Sequence, residues 1–153
     1  MTAKSPTDIL REEHDVVLKL LDELEKNISS KDIKSSEKNM LTLEKEFKKH
    51  SLNKEEKALF PELERFMPRD GGPTGVMIME HKELVSYIKD SRNAINAKDL
   101  KKLDSSGNCI LNILRPHIEK ENSMLFMMAD MHLDKRQKEA ILKKFKKFDL
   151  EFN

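Results

Sequence analysis

Four histidines recur along the chain at a spacing that suits metal binding. His14 and His50 are 36 residues apart, and so are His81 and His117. Each pair falls on two consecutive predicted helices, about equally far from the turn that joins them. At a rise of roughly 1.5 Å per residue, the two imidazoles of a pair come to similar heights. Imidazole nitrogen binds iron, manganese and zinc, so the spacing predicts a metal site at one level of a helical bundle.

Carboxylates follow two of these histidines at about one helical turn. Glu121 comes four residues after His117, about 40° away around an α-helix, so both side chains can face one point. Glu55 comes five residues after His50, about 140° away on an ideal α-helix, and a π-bulge or wide turn is needed to bring them together. Glu55 is a better candidate than Glu56, because it precedes a Leu-Phe pair by four residues, as Glu121 does. A carboxylate can bridge two metals, so the set predicts a metal pair inside a bundle.

The remaining polar side chains near these positions are interpreted as structural or solvent-exposed. His132 follows the fourth predicted helix and is placed outside the site. Cys109 is interpreted as a small buried residue rather than a ligand. Charged side chains on amphipathic helices usually face water, and this interpretation covers five glutamates, Glu12, Glu13, Glu56, Glu80 and Glu119.

Hydrophobic periodicity predicts the helices that position these residues. A first helix begins near Ser5 or Thr7 and reaches about residue 28, and others are expected over residues 32–66, 73–96 and 99–131, with a fifth capped by Asp134. Pro61 is predicted to kink or divide the second helix, and Pro116 to bend or break the fourth. With no run of period-two alternation, the prediction is an all-α fold, an up-down antiparallel four-helix bundle with a short extra C-terminal helix.

Composition excludes several function classes. The chain has 153 residues, 37% hydrophobic and 37% charged, which predicts a single domain over residues 1–153. A formal net charge of +1 argues against broad electrostatic capture of nucleic acid. The single cysteine excludes an internal disulfide and fits a reducing compartment. No run approaches the roughly 18 apolar residues of a membrane span, and the first residues contain no apolar signal segment. We therefore expect a soluble, cytoplasmic protein without a membrane partner.

Four stretches of the chain, in order, resemble the hemerythrin-like proteins with their His-His-Glu cation-binding domain. They are TDILREEHDVVLKLLDELE in the first helix, KEEKALFPELE in the second, PRDGGPTGVMIMEH at the next turn and LRPHIEKENSMLFMMAD in the fourth helix. The resemblance covers nearly the whole chain. It implies a non-haem di-iron centre, in which two irons are bridged by carboxylates and by an oxo or hydroxo group. The ligands it implies are His14, His50, Glu55, His81, His117 and Glu121.

Two departures from the family pattern bear on function. The second-helix pair is spaced H-x4-E instead of the usual H-x3-E, and Val85 stands where oxygen carriers have a second third-helix histidine. Fewer protein ligands leave more open metal positions, which favours a di-iron protein that binds or reacts with a small oxidant (O2, NO or peroxide), with an unidentified redox partner. Zn or Mn could occupy the same ligands. The alternatives are a non-enzymatic oxygen or iron sensor, with the C-terminal helix as its reporter, and iron storage or delivery.

Overall fold

Helices make up nearly all of residues 4–152, the part of the chain that the structure, a computed structural model, describes. No strand occurs within these residues, so the predicted all-α class is confirmed. The α-helices are α1 (Pro6–Ser29), α2 (Ile33–Phe47), α3 (Phe60–Leu63), α4 (Pro73–Asn96), α5 (Leu100–Lys120), α6 (Phe126–His132) and α7 (Lys135–Phe152). A long π segment (Lys48–Leu59) joins α2 to α3, and a short π segment (Glu121–Leu125) joins α5 to α6. The elements therefore form five continuous helices.

Side-chain caps set the starts of these helices. Ser5, Asp32 and Asp99 are the N-caps of α1, α2 and α5, and each side chain accepts a hydrogen bond from a backbone N–H three residues further on. The carboxylate of Asp134 accepts in the same way from the N–H of Gln137, at 2.7 Å. Such bonds satisfy donors that the first helical turn leaves without partners. The capping residues predicted for the first and last helices are therefore confirmed.

Two predicted helix features differ from the structure. The second helix ends at Leu63, three residues short of the prediction. Pro61 lies just after the change from π to α geometry, and the kink predicted there stays a prediction. α5 continues through Pro116 to Lys120, although proline supplies no N–H to the helix, and the predicted bend stays a prediction. The C-terminal helix was expected to be short but has 18 residues, because Phe145 and its apolar neighbours are buried against the bundle.

The apolar core consists of two clusters separated by a polar layer. The first cluster contains Leu21, Leu43, Leu84 and Ile110, and the second contains Leu10, Leu59, Phe60, Phe126 and Phe145. Along each long helix of the bundle, a histidine of the predicted site lies between members of the two clusters. The polar layer is therefore sealed by apolar packing on both sides. Among residues 4–152, no helix combines the length and apolarity that crossing a bilayer requires.

We expect Leu21→Ala to lower the free energy of unfolding by about 2–5 kcal/mol, because Leu21 is fully buried and its truncation leaves a cavity. Leu150→Ala is the matched control, since Leu150 is 79% exposed and its truncation should change stability by no more than about 0.5 kcal/mol. Chemical denaturation monitored by circular dichroism measures both. Equal losses in the two variants would contradict the placement of the core.

Candidate metal centre

The structure brings all six predicted metal-site residues together in the interior of the bundle. None of their side chains is more than 2% exposed. They form two groups of four that share both glutamates, and each group can hold a metal ion. One group contains two histidines from α1 and the long π segment, and the other contains two from α4 and α5. These six inner residues are His14, His50, Glu55, His81, His117 and Glu121.

Both glutamates reach histidines of both groups. Each carboxylate lies between imidazole Nε2 atoms that belong to different helices, at distances typical of a shared polar centre. The distances are 2.9, 3.6 and 3.2 Å from Glu55 to His50, His14 and His81, and 3.1 and 3.2 Å from Glu121 to His14 and His117. The two groups are therefore connected through Glu55 and Glu121.

Both glutamates lie in π segments of the backbone, while Glu121 follows His117 at the ordinary α-helical spacing of four residues. In the long π segment the N–H of Phe60 donates to the carbonyl of Glu55, and in the short one the N–H of Phe126 donates to the carbonyl of Glu121. Both bonds span five residues, which defines a π turn. The long π segment also covers residues 50–55. Because its turns are wider than α-helical turns, His50 and Glu55 face each other despite their five-residue spacing. The predicted π turn between them is confirmed.

Each of the four histidines is also held from its other ring nitrogen. The acceptor at Nδ1 is a side-chain oxygen in every case, so Nδ1 donates to it, and Nε2 is the nitrogen that faces the centre and could bind a metal. We call these four residues the outer acceptors. The pairs and their distances are His14 with Asn122 (2.7 Å), His50 with Glu13 (2.9 Å), His81 with Glu56 (2.6 Å) and His117 with Glu80 (2.8 Å).

The interpretation of three outer acceptors as structural or solvent-exposed did not include their contacts with the histidines. Glu13, Glu56 and Glu80 are only 17–25% exposed and orient histidines. The omission came from considering each helix alone, because Glu13 and Glu80 each precede a histidine and point about 100° away from it. In the bundle, a side chain in that direction contacts the histidine of a neighbouring helix. The signal was present as the dipeptide Glu-His, which occurs at residues 13–14 and again at residues 80–81.

Two lysines complete the outer layer. Lys54 donates to Glu13, and Lys120 donates to Glu80 at 2.8 Å. Each lysine directly precedes an inner glutamate, Glu55 or Glu121. The repeated Lys-Glu dipeptide therefore supplies one residue to the centre and one to its surroundings.

The other residues excluded from the site lie apart from it. Glu12 and Glu119 are exposed, as predicted. His132 is also exposed, and its ring lies 5.7 Å from that of Phe66. Cys109 is a free, partly buried thiol in a surface groove between α4 and α5, so it is less buried than predicted. None of these four belongs to the two groups that can hold a metal.

The electrostatics of the centre favour cations. Burial alone would lower the pKa of His14, but the carboxylates of Glu121 and Glu55 outweigh it and raise that pKa to about 10. The pKa of His81 also rises to about 10, because Glu55 and Glu56 outweigh its burial. Burial would raise the pKa of the Glu55 carboxyl, but the charge of His50 and contacts with the other histidines hold it well below its usual range. In the absence of a metal, protons therefore occupy the centre at neutral pH.

Several buried polar atoms of the centre are the kind that a cation satisfies. Among residues 4–152, His14 Nε2, Glu55 Oε1 and both carboxylate oxygens of Glu121 make no hydrogen bond, although neighbouring polar atoms lie within 4 Å. Nε2 of His81 faces Nε2 of His117 at 3.1 Å, an unfavourable pair of lone pairs unless a cation or proton is shared. Buried polar groups are costly without partners. The residues present therefore fit divalent cations bound by nitrogen and oxygen.

The fold and the site together define the class of this protein, a helical bundle with a buried cation-binding centre. The sequence profile of the hemerythrin HHE cation-binding domain matches residues 5–129, and the chain belongs to that family. The match covers α1 to most of α6 and leaves α7 outside. Comparisons with curated proteins and with solved structures gave no match.

We expect the metal-free protein to lose stability between pH 7 and 9. His14 and His81 bind protons more tightly in the folded chain, with pKa values of about 10 against 6.5 for an ordinary histidine. Their contribution to stability is complete below pH 6.5 and is lost as the pH rises toward 10. Thermal unfolding of the chelator-treated chain across this range measures the loss. Glu55→Gln should flatten the pH dependence, and a wild-type profile that is already flat would contradict the assignment.

Proposed function

We propose that this chain is a non-haem di-iron protein that binds or reacts with a small oxidant, O2, NO or peroxide. The observation that carries the proposal is the pair of four-residue groups that share Glu55 and Glu121. Two histidines and two carboxylates per ion suit iron, and also Mn or Zn. Glu55 and Glu121 would bridge the two ions, while His14 and His50 would bind one ion and His81 and His117 the other.

Each group of four side chains would leave room for a further ligand on a bound ion. Iron sites that react with oxygen typically keep such open positions. When bound, an iron pair supplies the electrons that an oxidant accepts. The chain itself fixes the imidazole tautomers through the outer acceptors, and it excludes bulk water with the two apolar clusters.

A cavity next to the centre supports a small ligand. Its volume is about 10 Å³, close to the space that one water molecule needs. It touches His14, His50, His117 and Glu121, and its other walls are Val17, Phe47, Ser51, Leu114 and Ile118. Beyond the centre the walls of the pocket are apolar except for Ser51, and its volume fits a molecule about the size of water.

The broader expectations extend this proposal. We propose an up-down antiparallel order for the four long helices, supported by the short turns after α1 and α4 and by the contacts that join α1 to α2 and α4 to α5. A single domain is supported by the packing of α7 against the long π segment. The lone thiol of Cys109 supports a reducing, cytoplasmic location. Turnover with an oxidant would require an electron donor as redox partner.

The first experiment measures metal content and the visible spectrum of the iron-reconstituted chain, before and after O2 is added to the anaerobically reduced protein. We expect about two irons per chain and an absorption band that appears on oxidation. A persistent oxygenated spectrum indicates carriage or sensing, and direct conversion to the ferric spectrum indicates oxidant chemistry. Clearly more than two irons would favour storage. Failure to retain iron, or one zinc insensitive to O2, would refute the di-iron proposal.

Removing a shared carboxylate should lower the metal content more than removing any exposed one. Glu121→Gln is expected to reduce iron to one or fewer per chain, because the carboxylate serves both positions and an amide is a weaker ligand. Glu119→Gln is the matched control, since Glu119 is exposed two residues earlier on the same helix. Inductively coupled plasma analysis after gel filtration measures both. Two irons retained in Glu121→Gln would contradict the bridging role.

Enlarging the cavity should relax the size limit on the oxidant. Leu114→Ala removes a wall of the pocket and is expected to speed the reaction with a bulky organic hydroperoxide relative to hydrogen peroxide. Leu111→Ala is the control, because Leu111 is equally buried but does not line the cavity. Stopped-flow oxidation of the reduced protein gives the ratio of the two rates. If the two variants give the same ratio of rates, the oxidant does not reach the centre through this cavity.

A further inference from the structure

The C-terminal helix α7 packs directly on the long π segment, which carries His50 and Glu55, two of the six inner residues. It lies beyond the family match, and it contacts the long π segment and α1. Ile141 and Phe145 are 1% and 2% exposed and join the second apolar cluster. Near its start, Gln137 donates to Glu62 at 3.0 Å. The helix is therefore anchored at more than one point along its length.

The polar contact beneath α7 involves a buried lysine. The side chain of Lys54 is 1% exposed, although burying an ammonium group is costly unless it is paired. Its Nζ contacts the carboxylate of Glu13 on one side and that of Asp149, on α7, at 2.8 Å on the other. It also lies 5.3 Å from the ring centroid of Phe145, within cation–π range. α7 thus supplies two of the partners that allow this charge to be buried.

The same lysine is linked to the metal centre through Glu13. One carboxylate oxygen of Glu13 accepts from Lys54, and the other accepts from Nδ1 of His50 at 2.9 Å. A continuous path of charged contacts therefore runs from Asp149 through Lys54 and Glu13 to His50. Because Glu13 divides its charge between two donors, a change in the pairing of Lys54 alters its bond to His50.

The corresponding path in the other half of the bundle has no such link to α7. There Lys120 donates to Glu80, which accepts from Nδ1 of His117. The Lys120 side chain is 42% exposed and reaches water instead of a carboxylate on a further helix. The two halves repeat the residues of the path, and only the half with Lys54 continues into the C-terminal helix.

We propose that α7 is part of the metal centre, with Asp149 acting through Lys54 and Glu13 as a positioning residue for His50. Docking of α7 and occupancy of the His14/His50 position then stabilise each other. The proposal rests on the two-ion occupancy proposed above. Coupling of this kind is reciprocal, so metal at that position favours the docked state of α7, and a docked α7 tightens the binding of metal. The His81/His117 position has no corresponding path to α7 through its outer acceptors.

The variants follow from the path. Asp149→Asn removes the charge on α7 with little change in shape, and Glu151→Gln, an exposed carboxylate on the same helix, is its control. Lys54→Met and Lys120→Met test the two halves against each other. Asp149→Asn is the milder change, so it tests the path even if Lys54→Met fails to fold.

The experiment is an anaerobic calorimetric titration of the metal-free full-length chain with Fe²⁺, together with hydrogen exchange of the α7 amides with and without Fe²⁺. In Asp149→Asn we expect one of two binding steps to weaken about tenfold, the lower end of the usual effect of an outer partner, while the other step is unchanged. In the wild type, Fe²⁺ should slow exchange in α7. In Asp149→Asn most of that protection should be lost, and Lys120→Met should keep it while weakening the other step.

The outcomes separate the two proposals. A wild-type chain that binds fewer than two ions would overturn the proposed function and the coupling with it. Two ions with identical titrations for Asp149→Asn and Glu151→Gln would overturn the coupling alone. Equal weakening of both steps in Asp149→Asn would also overturn it, since a general loss of stability affects both positions alike. If Fe²⁺ does not change the hydrogen-exchange rates of the α7 amides in the wild type, the reciprocal effect is contradicted.

Discussion

The burial of two carboxylates in one layer is the constraint on which the rest of this structure depends. Glu55 and Glu121 are fully buried, and an unpaired charge in a protein interior costs several kcal/mol. The four histidines surround these carboxylates, and the outer acceptors hold the histidines in turn. The histidines thus provide polar partners for the buried carboxylates, and the outer acceptors provide them for the histidines. The apolar clusters on both sides exclude water, which would otherwise pair with these polar groups.

Much of this arrangement is predictable from sequence because it depends on helical periodicity. The 36-residue spacing of the histidines and the phase of Glu121 predict which side chains meet, and the six inner residues do converge. Their role as ligands stays a prediction. The capping positions at Ser5 and Asp134 are local, and they too were predictable. What these features share is that one helix, or one helical hairpin, is enough to specify them.

The features that were missed depend on contacts between helices that are distant in sequence. Glu13 orients His50 and Glu80 orients His117, in each case across 37 residues. No periodicity within one helix reveals such a pairing. The extent of α7 was underestimated for the same reason, because its later turns are held by Phe145 and Asp149 against the long π segment. The Asp149–Lys54 contact joins residues 95 positions apart, and its meaning emerges only from the folded chain.

The long π segment has a consequence for how such chains are compared. His50 and His117 are 67 residues apart, and so are His14 and His81, but Glu55 and Glu121 are only 66 apart. The first half therefore contains one residue more than the second between its histidine and its glutamate, and the wide backbone turn absorbs it without moving either side chain out of the centre. An alignment of the two halves must open a gap in the middle of a helix, where gaps are normally penalised. Pattern searches that fix the number of residues between histidine and glutamate would overlook chains of this kind, although the same atoms meet in space.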